Sequence, residues 1–117
     1  MITLYTYQIA RWRQVGATGI PMLDTSIKTG DFRVAPTWPL LLSYKRGQCS
    51  EDQYRIAYRA ILDYWWEEDP LFFEWLLSHD QLALGCYCRP GAFCHRHLLV
   101  QFLQSAVGAN YHGELPQ

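Results

Sequence analysis

The chain has 117 residues, half of them apolar and 15% aromatic, which suits one hydrophobic core at the common size of a single domain. A charged fraction of 18% and a formal net charge of -1 lack the basic footprint of a duplex nucleic-acid binder. No apolar run approaches the roughly 20 residues that span a bilayer, and Met1-Ile2-Thr3-Leu4-Tyr5 has neither the basic start nor the cleavage site of a signal peptide, so a cytoplasmic protein with no membrane contact and reduced cysteines is expected.

Ile2 to Ala10 reads as a first strand, with Tyr5 and Tyr7 on one face and Leu4 and Thr6 on the other. Gly16 and Gly19 permit a turn, and Ile20 to Ile27 reads as a second strand that ends in Asp24-Thr25-Ser26. Lys28 to Pro36 is a loop of the kind that carries ligand groups at a strand end. Pro36-Thr37-Trp38-Pro39 restrains the chain before a short helix, Leu40 to Lys45, stopped by Gly47. Ser50 with Gln53 forms a capping box, and Tyr54, Ala57, Tyr58, Ile61, Leu62 and Trp65 keep helical spacing behind it. Arg55, Arg59, Asp63 and Glu67 form its solvated face. Pro70 opens another helix running to about His79.

Gln81 to Cys88 is apolar on both faces, as a central strand requires, and Arg89-Pro90-Gly91 breaks it. A final helix runs from about Cys94 to Val107, with Gly108 as its stop and residues 111–117 as a frayed tail. The order of elements predicts a small single α/β domain over residues 1–117: a mostly parallel sheet flanked by helices, Rossmann-like.

The segment Cys86 to His97 concentrates the chemistry. A strand, a tight turn and a helix start present backbone N–H groups and a positive helix end to an anion. Arg89 and Arg96 stand there to grip a phosphate or carboxylate, and Asp24, Ser26 and Lys28 at the second strand end could complete the pocket. At 100° per residue, His95 falls near the centre of the buried stripe Leu98, Leu99, Phe102, Leu103 and Ala106, while His97 projects to solvent, so the two cannot easily serve one metal.

Three of the four cysteines, Cys86, Cys88 and Cys94, lie within nine residues. With His95 they make a Cys3His set, although the spacing is not the two-residue knuckle of common zinc sites. No cofactor is expected on that spacing, and zinc on Cys86, Cys88, Cys94 and His95 stays an alternative. As an enzyme, the chain would use Arg96 as anion clamp, His95 as acid or base and Cys94 as nucleophile. Arginine is not six residues after Cys88, where the loop of cysteine-dependent phosphatases needs it; Cys94 stands there.

Cys88-Arg89-Pro90-Gly91-Ala92-Phe93-Cys94-His95-Arg96-His97 resembles the Pro-Gly turn and Cys-His-Arg helix start of the bacterial and phage family catalogued as domain of unknown function 488. Ala35-Pro36-Thr37, Tyr44-Lys45-Arg46-Gly47, Tyr54 and Tyr58 support the resemblance, which covers roughly positions 20 to 103. It implies an α/β fold with a pocket at this sheet edge, transfers the Cys94, His95 and Arg96 positions, and implies no established reaction. The leading expectation is a pocket for a small anionic, nucleotide-like ligand. The rivals are a zinc-stapled structural or regulatory module, and a protein-binding module or homodimer acting through Trp12, Trp65, Trp66 or Trp75.

Overall fold

A computed structural model describes residues 1–117. Four strands form one sheet: β1 (Thr3–Gln8), β2 (Met22–Asp24), β3 (Gln81–Cys86) and β4 (Asn110–Leu115), in the order β2-β3-β1-β4. Every pairing is parallel, so all four carboxyl ends meet at one edge. Five α-helices join them: α1 (Trp12–Gly16), α2 (Trp38–Lys45), α3 (Glu51–Glu68), α4 (Pro70–Leu77) and α5 (His95–Val107). This is the Rossmann-like α/β arrangement expected, and no helix is long and apolar enough to cross a membrane.

The alternation of β1 sorts its side chains between two layers. Leu4 joins Leu82, Leu84, Tyr58, Leu62, Phe73 and Leu99 in the main core under α3, α4 and α5. Tyr5 and Tyr7 turn the other way, into a smaller cluster with Val15 of α1, Ala83 and Leu115. A Cβ at Gly85 would run into the ring of Tyr7, itself buried in this second layer, so glycine suits the position.

The helix starts follow their sequence signals. Ser50 and Gln53 close the capping box of α3, Thr37 caps α2 and Asp69 caps α4. Gly108 ends α5 in the left-handed region at φ 68°.

Several boundaries differ from the sequence reading. β1 stops at Gln8, and the short α1 precedes the expected turn, which stands at residues 17–19. β2 keeps only Met22–Asp24 of the stretch 20–27, because the chain then folds back: Gly30 N–H donates to the Ser26 carbonyl and Asp31 N–H to the Asp24 carbonyl, both at 2.9 Å. β3 ends at Cys86, which puts Cys88 on the following bend rather than on the strand. The tail expected to fray from 111 is instead an edge strand: Asn110–Leu115 pairs with β1, and Leu115 is buried. Backbone pairing to β1 orders a segment whose own sequence, NYHGEL, carries little apolar signal.

Candidate functional site

The site lies at the carboxyl edge of the sheet, where the loops after β2 and β3 flank the first turn of α5. Helix α5 buries Leu99, Val100, Phe102 and Leu103, so the centre of its buried face falls between His95 and Arg96 and both are carried inward; Ala106, expected in the stripe, is exposed.

Three sulfurs meet beneath this turn. The Sγ atoms of Cys86, Cys88 and Cys94 all lie within 4.8 Å of one another, and Cys86 donates to Cys88 at 3.8 Å. The bend after Cys86 makes this convergence, since it swings Cys88 back toward the strand end. Cys94 is the N-cap residue of α5. The group shares its protons unevenly. The hydrogen bond from Cys86, with Cys94 close by, holds Cys88 far below the ordinary thiol range, and the crowding of the three sulfurs, with burial, pushes Cys86 and Cys94 up. Three free cysteines at this spacing could hold a metal ion.

His95 completes the floor. Its Nε2 lies 2.8 Å from the Thr25 carbonyl, which can only accept, so Nε2 carries the proton. The Thr25 hydroxyl, which donates to the Gly85 carbonyl at 2.8 Å, stands 3.0 Å from the same nitrogen. The unprotonated Nδ1 therefore faces the thiols, 3.9 Å from Cys86 Sγ and 3.8 Å from Cys94 Sγ. Burial lowers the imidazole pKa to about 4, which keeps the ring neutral. His97 does not join it: half-buried, it turns its Nε2 toward Glu114 Oε1 at 3.8 Å.

Arg96 differs from its expected part as an anion clamp. Its side chain is wholly buried, and its donors are taken: Nη2 and Nε by the Glu114 carboxylate at 3.0 and 3.3 Å, Nη1 by the Cys88 carbonyl at 3.0 Å and Cys94 Sγ at 3.5 Å. The guanidinium braces the cysteine loop from behind and has no free edge for a ligand. Glu114, from the strand that the sequence reading left as a tail, is its counter-ion.

In front of the thiols opens a cavity of about 480 Å³. Cys86, Cys88 and His95 form its floor, and Cys94 lies behind them, buried and outside the lining. Of the expected ligand groups, Ser26 and Lys28 line it. Asp24 instead organises the loop, accepting from Ser26 N–H at 2.8 Å and from the Thr29 hydroxyl. Arg89 is exposed on the turn, outside the cavity. Lys45 and Tyr87 were not among the expected ligand groups, and Trp38 figured only in the restraint before the second helix; all three line the walls.

A family model described as the active DUF488-N3 subclade, DUF488-N3a, matches residues 25–107. No curated protein and no solved structure matches the chain significantly. The matched span covers well over half of the chain and contains Thr25, the three clustered cysteines, His95 and Arg96, and the chain belongs to the DUF488-N3a family.

Proposed function

We propose that this protein is a ligand-binding member of its family whose pocket floor is a zinc centre, with Cys86, Cys88 and Cys94 supplying thiolates and His95 supplying Nδ1. The observation that carries this reading is the meeting of three sulfurs with an imidazole nitrogen that is already deprotonated and already aimed at them. A tetrahedral ion with Zn–S of about 2.3 Å and Zn–N of about 2.0–2.1 Å separates its sulfurs by about 3.8 Å and sulfur from nitrogen by about 3.6 Å. The Cys86–Cys88 separation of 3.8 Å and the separations of Nδ1 from Cys86 and Cys94, 3.9 and 3.8 Å, are within a few tenths of an ångström of those values, and the remaining sulfur pairs lie within 4.8 Å.

The surroundings fit the same reading. A zinc-bound imidazole ordinarily donates its second N–H to a carbonyl or carboxylate, and the Thr25 carbonyl has that role. Three thiolates around a divalent ion leave one net negative charge, and the Arg96 Nη1 that donates to Cys94 Sγ at 3.5 Å is a hydrogen-bond donor to one of those sulfurs. Cys94 and His95 then act as ligands, not as nucleophile and base, and the metal ties the loop after β3 to α5 under the cavity.

Cobalt(II) titration of the reduced protein tests the proposal. One equivalent producing intense thiolate-to-cobalt charge-transfer absorption, lost in Cys88→Ser and displaced by one equivalent of zinc, is the expected result. Absence of that absorption in the wild type, with the four thiols verified as reduced, overturns it.

A further inference from the structure

The cavity above the thiols gathers positive charge from two separate elements. The whole chain contains two lysines, Lys28 and Lys45, and both line this one cavity. They arrive from different elements, Lys28 on the loop after β2 and Lys45 at the last turn of α2. Neither has a carboxylate within 4 Å, as for Arg11, Arg13, Arg46 and Arg89, whereas the arginines at 33, 55, 59 and 96 are ion-paired. No carboxylate lines the cavity, and the acidic group on its floor is Cys88.

The other walls are apolar and aromatic: Ile27, Pro36, Leu41, Trp38 and Tyr87. Trp38 and Tyr87 stay about half exposed, at 47% and 49%, in a chain that buries most of its other aromatic rings at least partly. Two point charges for a dianion, a neutral Ser26 beside them and two available ring faces describe one ligand class.

We infer that the cavity binds a nucleoside monophosphate, with the phosphate held by Lys28 and Lys45 and the base against Trp38 or Tyr87. The inference goes beyond the zinc centre, because the lysines and aromatic walls belong to the cavity whether or not a metal fills the floor. The lysines could alternatively serve only to balance the metal-thiolate charge. In that case their removal changes zinc affinity and leaves no nucleotide binding to lose.

Isothermal titration calorimetry with AMP, GMP, CMP and UMP tests it, with adenosine and inorganic phosphate as separate arms and metal content measured on each sample. At least one monophosphate is expected to bind at micromolar to submillimolar concentration, and about tenfold or more tighter than adenosine or phosphate alone. Lys28→Ala and Lys45→Ala, both exposed positions that leave the core intact, should each weaken it about tenfold, and Trp38→Ala similarly. Silence from all four nucleotides, binding indifferent to both lysines, or phosphate binding as tightly as the nucleotides each overturns the inference. Loss of the zinc reading shows in the metal content instead, so the two failures are distinguishable.

Discussion

His95 donates its Nε2 proton to the Thr25 carbonyl at 2.8 Å, and this one bond decides what the other side of the ring can do. Donor and carbonyl stand on neighbouring elements of the sheet edge, α5 and the loop after β2, so the imidazole is locked with its Nδ1 lone pair on the sulfurs. His95→Gln should retain much of the packing but lose the nitrogen ligand. Because loss of a mere supporting partner of a metal ligand costs about 10–100-fold in affinity, loss of the ligand itself should cost at least as much. Competition with a chromophoric chelator measures this, and an unchanged affinity would remove His95 from the metal set.

Arg96 and Glu114 make a second checkable pair. With the guanidinium wholly buried and the carboxylate 24% exposed, Glu114→Gln leaves a buried cation without its counter-ion and should cost about 2–3 kcal/mol in urea unfolding. Arg96→Lys should cost a similar amount, since one ammonium cannot reach Glu114, the Cys88 carbonyl and Cys94 together. Both variants should also weaken metal binding through the loosened cysteine loop. A Glu114→Gln protein as stable as wild type would contradict the bracing role.

The history of this pair shows what the sequence could and could not convey. Cys86, Cys88, Cys94 and His95 were legible as a set because they are close in the chain, and α3 was legible because its cap and its apolar spacing are local signals. The direction of His95 followed from helical periodicity alone. Glu114 was not legible: a polar edge strand gains its order from pairing with β1, and nothing near residue 114 points to a partner 18 positions away. Lys45 and Trp38 were lost for the same reason, since only the fold brings α2 over the end of β3.

The loop after β2 carries a tight constraint at Gly30. A side chain there would meet the backbone of Asp24 and Ser26, at 2.5 and 2.6 Å for the Ser26 nitrogen and oxygen, and backbone cannot rotate aside. Gly30→Ala should therefore destabilise the protein by about 1–3 kcal/mol and displace Ser26 and Lys28 from the cavity. Thermal unfolding and nucleotide titration of the variant read the two effects. Wild-type behaviour in both would mean that the loop has slack the geometry denies.

The far end of that loop is held by charge, which predicts a pH dependence. Burial raises the Asp31 pKa, but hydrogen bonds from Arg33 and its positive charge outweigh it and leave the carboxyl below its ordinary value. Arg33 also reaches Asp69, the cap of α4, at 2.7 Å. A carboxyl whose pKa falls on folding stabilises the native state above the unfolded pKa, about 3.9, and loses that contribution as pH falls through the folded value. The stability gap between wild type and Asp31→Asn should thus be constant from neutral pH down to about 4 and shrink below it. A gap that persists unchanged in strong acid would show that the ion pair is not its source.

Native mass spectrometry of the reduced protein as purified, compared with the same sample denatured, reads the occupancy of the Cys86, Cys88, Cys94 and His95 site. One zinc per chain is expected, retained in the native spectrum, lost on denaturation and missing from a Cys86→Ser, Cys88→Ser double variant that still folds. A wild-type chain that is folded, fully reduced and metal-free, and that stays so after incubation with zinc, would contradict it.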